Sequence, residues 1–237
     1  MRSTSLFSLP FIAMSVSLSL AGCSSTPSAE ELAADIVALG EFQSGIATFY
    51  DATGAGHCGF DKSPQDMNIA AMNAPQFSGT AVCGSCAEIQ GPKGTLVVRI
   101  VDSCPECGPG HLDLSREAFR QIANEVDGRV PTQWRLVSCP VAGPVRYRVK
   151  NGSNQWWSAI QVLNHRVPVT KLEWQKSGAW VEAKRDPASN YFTEPSGMGP
   201  GPVKVRITGS TGETLEDTIP STAGEKTYEG AEQFKAE

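Results

Sequence analysis

The chain has 237 residues, a formal net charge of −5, 40% hydrophobic and 19% charged residues, and is rich in turn formers with 23 glycines and 16 prolines. That length suits one large domain or two small ones, and the composition points to a loop-rich, mainly β protein rather than a helical bundle. The acidic balance speaks against nucleic acid or another polyanion as partner, because phosphate binding needs a basic footprint, and leaves a neutral polymer or a small molecule.

Taken from the N-terminus, Arg2 is the only charge before an apolar run from Leu6 to Leu20. Pro10 and the interspersed serines make this run too weak for a membrane span but suitable as the core of an export signal. It ends in Leu20-Ala21-Gly22-Cys23, similar to the bacterial lipobox, so residues 1–22 are expected as a lipoprotein signal peptide and Cys23 as the lipidated residue. The expected location is therefore outside the cytoplasm, on an outer membrane or cell surface through the lipid alone, or secreted. Residues 23–43 read as a tether, in which Ala29–Leu39 could form a short helix.

The cysteines agree with export. Seven is an odd number, but setting Cys23 aside leaves Cys58, Cys83, Cys86, Cys104, Cys107 and Cys139 as an even set. The spacing of Cys83-x-x-Cys86 and Cys104-x-x-Cys107 also fits a zinc ribbon, which would strand Cys58 and Cys139. Disulfides in an oxidising compartment are the expected state, with the pairing open and with no metal or other cofactor.

Residues 44–140 hold all six of these cysteines and form the first expected domain. Gly45–Tyr50, Thr95–Val101 and Trp134–Ser138 read as strands. Ser115 is a plausible N-cap for a helix in which Ala118, Phe119, Ile122, Ala123 and Val126 recur at helical spacing. Pro140-Val-Ala-Gly-Pro144 marks a linker. Beyond it, residues 145–232 carry short strand signals at Val145–Val149, Ser158–Leu163, Val169–Trp174, Trp180–Ala183, Val203–Thr208 and Glu213–Ile219, separated by Gly-containing turns. That rhythm suggests a β-sandwich. Trp134, Trp174 and Trp180 fall within strand patterns and are expected in the core.

Two groups of residues could carry function. Asp113, in His111-Leu-Asp-Leu-Ser115, follows the open Gly108-Pro-Gly110 and lies just before the helix. It would be either a helix-start acid or a carboxyl whose pKa is raised by apolar neighbours, which suits a general acid. His111 is expected to pack or hydrogen-bond beside it. Glycoside cleavage needs a second carboxylate across the bond, and Asp51 and Asp102 are the candidates; each could instead be a turn residue. The second group is Trp156-Trp157, two of 5 tryptophans, after a turn-like Lys150-Asn-Gly-Ser-Asn-Gln. Adjacent strand residues point to opposite faces, so a core takes at most one ring. A bulge or twist would turn both outward, and the flat C–H face of an uncharged glucan is a fitting partner.

In order and spacing, Gly45-Ile-Ala-Thr-Phe-Tyr50, Cys83-Gly-Ser-Cys86, His111-Leu-Asp-Leu-Ser115, Trp134-Arg-Leu-Val-Ser-Cys139 and Tyr147-Arg-Val-Lys150 with Trp156-Trp157 resemble the bacterial expansins. The resemblance implies a six-stranded double-psi β-barrel followed by an immunoglobulin-like carbohydrate-binding sandwich, monomeric, with the pairs Cys58–Cys83, Cys86–Cys139 and Cys104–Cys107. It implies Asp113 as the acid required for wall loosening, with Thr48, Tyr50 and Asp102 lining the same groove. Trp156, Trp157 and Tyr191 would form an aromatic platform beside Lys150. The implied activity is binding and loosening of cellulose-containing walls without hydrolysis. Asp51 departs from the pattern, because related endoglucanases carry their base after an aromatic pair and Phe49-Tyr50 precedes it here. A glycan-cleaving enzyme, with Asp113 as acid and Asp51 as base, is the first alternative. The lipobox is similar to that of rare lipoprotein A, so an envelope lipoprotein acting on or binding peptidoglycan is the second.

Overall fold

A computed structural model describes Met1 and residues 36–236. The signal peptide, the lipidation site Cys23 and most of the tether lie outside the described residues. Among those described, no helix is long and apolar enough to cross a membrane.

The first domain is a closed barrel of six strands: β1 (Gln43–Tyr50), β2 (Ile69–Asn73), β3 (Cys86–Gly91), β4 (Gly94–Cys104), β5 (His111–Ser115) and β6 (Val130–Val137). Around the barrel they run β1-β5-β2-β4-β3-β6, with β1/β5 and β2/β4 parallel and the other neighbours antiparallel. Ala47, Ile89, Val98, Ile100, Leu112, Leu114 and Trp134 fill the interior. The indole of Trp134 donates to the Gly110 carbonyl at 2.9 Å. Gly45 lets β1 lie against that loop, since a Cβ there would sit 2.1 Å from the same oxygen.

Helix α1 (Ala74–Phe77) is one turn, and helix α2 (Arg116–Ile122) covers one side of the barrel. Ser115 caps α2 as expected, its hydroxyl accepting from the Ala118 amide at 3.0 Å, and Ala118, Phe119 and Ile122 are buried. The helix is shorter than its pattern suggested. It ends at Ile122, a 3-10 turn follows at Glu125–Asp127, and Val126 is 91% exposed. Residues 36–39 are not helical either. Ala38 bridges to Val137, and Leu39 donates to the Leu136 carbonyl, so the end of the tether docks on β6.

The second domain has β7 (Arg146–Val149), β8 (Ser158–Leu163), β9 (Val169–Lys176), β10 (Ala179–Arg185), β11 (Phe192–Glu194), β12 (Val203–Gly209), β13 (Thr214–Ile219) and β14 (Lys226–Glu229). Two layers, β13-β12-β9-β10 and β11-β8-β7-β14, are joined because β10 pairs with β9 through Ala183 and then with β11 at Lys184 and Arg185. Tyr147, Val149, Ile160 and Val162 from one layer meet Leu172, Trp174, Val205 and Ile207 from the other in a single sandwich core, which extends to Phe234, two residues past the expected end. Trp180 is the exception among the tryptophans expected inside. It alternates with Val181 and Ala183 to face outward, half-buried beneath the Arg206 guanidinium at 4.5 Å.

Alternation on β7 and β8 also shapes the domain seam. With Tyr147 and Val149 committed to the core, Arg146, Arg148 and Lys150 face the other way, toward the barrel. Arg148 is buried there, bonded to the Gly59 carbonyl and Gln161 and paired with Asp61 at 2.9 Å, while Gln161 donates to the Cys58 carbonyl at 2.7 Å. The six cysteines form three disulfides, Cys58–Cys83, Cys86–Cys139 and Cys104–Cys107, with Cα separations of 5.4, 5.1 and 5.3 Å. The zinc-ribbon alternative falls with that pairing, and no group of metal-binding side chains occurs among the described residues.

Candidate functional site

The parallel register of β1 on β5 sets Thr48 opposite Asp113, and the β2 register sets Ala71 on its other side. Asp113 therefore stands within a strand, not in the loop before the helix. Ala47 and Phe49 pack into the barrel, so Thr48 and Tyr50 face the opposite side of β1, the side of the expected groove. There the Thr48 hydroxyl donates to Asp113 Oδ1 and lies 2.8 Å from His111 Nε2. A hydroxyl that gives its proton to Asp113 accepts from the Nε2–H tautomer, so the three residues form one directed chain.

Burial pushes the Asp113 carboxyl above its ordinary pKa, and Glu106 adds to this, while the Thr48 hydrogen bond and His111 oppose it. Burial lowers His111, helped by Arg129, against the attraction of Asp113 and Glu106. Tyr50 is raised by burial and then by the charges of Asp102 and Asp113. Its hydroxyl is buried with no hydrogen-bond partner among the described residues, so it loses its hydration without compensation.

Asp102 has one carboxylate oxygen engaged. Oδ1 accepts from the His57 and Ser103 amides at 2.7 and 2.8 Å, so Asp102 holds the 51–60 loop in place. Asp51 goes elsewhere. It is 83% exposed and takes two hydrogen bonds, 2.9 and 2.7 Å, from Arg116 at the start of α2, whose guanidinium covers Phe49 at 4.7 Å. That commitment turns Asp51 away from Asp113.

The aromatic pair sits on a turn rather than in a strand. Asn154 and Trp157 bridge, the Asn154 side chain accepts from the Trp156 amide at 2.9 Å, and β8 begins only at Ser158. The strict alternation of a strand thus does not govern the two rings. Trp156 is 73% exposed and Trp157 half-buried. Gly197 packs directly under this turn, where a Cβ would stand 2.0 Å from the Gln155 carbonyl oxygen. Tyr191 corrects the expected three-ring platform. It is only 8% exposed, and the Lys150 ammonium lies over its ring at 4.4 Å.

His57 joins the two regions and was not anticipated. Its ring lies 3.1 Å from Ser103 Oγ and 3.4 Å from the Pro187 carbonyl across the domain seam, with an edge against Phe77. An exposed histidine in a Gly-rich loop gives no sequence signal of this; the barrel brings Ser103 to it, and the packing of the second domain brings Pro187.

Comparison with known proteins agrees with this geometry. The profile of a family described as lytic transglycolase matches residues 43–134, the barrel. A Bacillus subtilis protein, Expansin-YoaJ, is 39% identical over 191 residues, covering 77% of this chain and 80% of its own. The chain belongs to the expansin family. The crystal structure of a Clavibacter michiganensis expansin superposes with a TM-score of 0.76 at 33% identity, covering 81% of this chain and 98% of that one. A mutant of that expansin, in complex with cellohexaose, superposes equally well at 32% identity. Expansin-like protein 2 of Dictyostelium discoideum is 32% identical over 209 residues, 83% of this chain and 51% of its own.

Proposed function

We propose that this expansin binds cellulose or a related β-glucan and loosens it without hydrolysis, as a monomer outside the cytoplasm. The observation that carries the reading is an exposed Trp156 with half-exposed Trp157, together with a half-buried Asp113 carboxyl held by Thr48. At about 1–2 kcal/mol per stacked ring, by analogy with base stacking, the pair supports millimolar or weaker affinity for a soluble oligomer. On an insoluble polymer, many weak contacts along the chain would add. The cellohexaose complex of the related bacterial expansin supports the same ligand class.

In the groove, Asp113 offers hydrogen bonds to a neighbouring glucan chain. Cleavage would need a base or nucleophile on the far side of the bond. Asp102 is held by two amides and Asp51 by Arg116, so the groove is fitted to grip and shift a chain rather than cut it. The barrel's match to a lytic transglycolase family favours a second reading, in which the glycan is peptidoglycan and the protein is anchored through Cys23. A pull-down on insoluble cellulose and on purified sacculi, with reducing ends measured in both supernatants, separates the readings. Retention on cellulose without new reducing ends supports the first; retention on sacculi alone, or glucan cleavage, rejects it.

A further inference from the structure

At the end of β7 away from the tryptophan turn, the seam between the domains opens into a cavity of about 210 Å3. Its wall carries Lys62 and Arg99 from the barrel and Arg146 and Arg148 from β7, against one acid, Asp61. The chain as a whole is acidic, at −5, so this is a local reversal of sign.

Only Arg148 is explained by the fold, through Gly59, Gln161 and Asp61. Arg99 reaches outward to Asp66 at 3.3 Å but leaves its buried Nε–H without an acceptor. Lys62 and Arg146 have no ion-pair partner among the described residues, although Glu229 registers opposite Arg146 on β14. Converging cations repel one another, and a bound anion would relieve that repulsion.

We propose that this cavity binds a hexuronate substituent of an otherwise neutral β-glycan, with its carboxylate between Lys62, Arg99 and Arg146. A planar guanidinium fork matches a carboxylate in a bidentate manner. The space, about 210 Å3, exceeds what an inorganic oxyanion fills. Phe60, with the Arg99 guanidinium 5.7 Å from its ring centroid, gives the wall an apolar surface suited to a sugar ring. A polyuronate is disfavoured by the acidity of the rest of the chain; a sparse carboxylate on a neutral polymer is not. The site lies outside the aromatic platform and does not depend on it.

The test uses the full chain and two oligosaccharides: one bearing a single glucuronate branch, and the same compound with that carboxylate reduced to the alcohol. Calorimetry is run on the wild type, the Lys62→Ala/Arg146→Ala double variant and Trp156→Ala. Lys62 and Arg146 are exposed and unpaired, so the double variant is expected to melt with the wild type. The wild type is expected to bind the charged compound at least about tenfold more tightly than its reduced form, the scale of one charge-assisted hydrogen bond. The double variant is expected to lose that preference, and Trp156→Ala to keep it. Added salt is expected to weaken only the charged compound in the wild type. Equal affinity for the two compounds in the wild type, or an undiminished preference in the double variant, overturns the proposal. Inorganic phosphate competing as well as the uronate overturns the sugar assignment. The cellulose reading stands or falls separately, on Trp156.

Discussion

The groove and the tryptophan turn are built in opposite ways. The turn is local: Asn154, Trp156, Trp157 and Ser158 hold one another through contacts within four residues, and Gly197 is the main distant support. The groove is entirely long-range. Thr48 and Asp113, 65 residues apart in sequence, meet only because β1 and β5 run parallel in a closed barrel. A locally built, exposed feature can lose its side chains with little cost to folding. A groove residue is also part of the barrel's hydrogen-bond structure, so its function and its stability are linked.

That contrast is open to breaking, and the largest effect is expected at Asp113. Asp113→Asn should abolish loosening of a cellulose wall, measured as extension under load, while leaving retention on cellulose intact; loosening that survives would remove the acid from the function. Next comes Trp156→Ala/Trp157→Ala, expected to weaken cellulose retention by roughly thirty- to a thousand-fold from the loss of about 1–2 kcal/mol per ring. Trp156→Ala alone should melt with the wild type, and the double variant slightly lower, because Trp157 is half-buried. A collapse of the fold in Trp156→Ala would return that ring to a structural role.

Two pH effects of opposite sign sharpen the comparison. The Asp113 carboxyl is raised in the folded state, so the fold binds its proton more readily than the unfolded chain does. Stability then falls as pH rises through the ordinary carboxylate range toward the folded value. Asp113→Asn should therefore be more stable than the wild type at neutral pH, with the gap closing on acidification, as read from melting temperatures. His165 at the domain seam runs the other way. Burial lowers it to about 4, so its neutral form is built into the fold, and its contribution is lost as pH falls from about 6.5 through about 4. His165→Gln should flatten the acid side of the stability profile. The smallest effect is expected at Asp51. Asp51→Asn breaks an exposed pair with Arg116, and neither loosening nor reducing-end release should change measurably.

Legibility followed the same division. Short-range signals were readable: the Ser115 cap, the turn before Trp156, the Pro/Gly linker, and the strands at Ser158–Leu163 and Val203–Thr208. Strands whose residues are buried on both sides, such as Ile69–Asn73, or that begin at a cysteine, such as Cys86–Gly91, carry no alternation and were missed. Val126 matched the helical period by chance, since Asn124 starts a separate 3-10 turn. Tyr191 looked like a platform ring because sequence records aromaticity, not that Lys150 would lie across its face.

What the sequence determined by itself was the chemistry on offer: an acid in an apolar motif, paired indoles after a turn, an even set of cysteines and two rhythms of strand separated by a linker. These are fixed by covalent order, within the few residues over which backbone propensity acts. Only the tertiary structure decided which groups meet. It tied Asp51 to Arg116, set Thr48 against Asp113 and gathered four cations from two domains around one cavity, because closing a barrel and stacking a sandwich on it join residues whose separation along the chain says nothing about their distance in space.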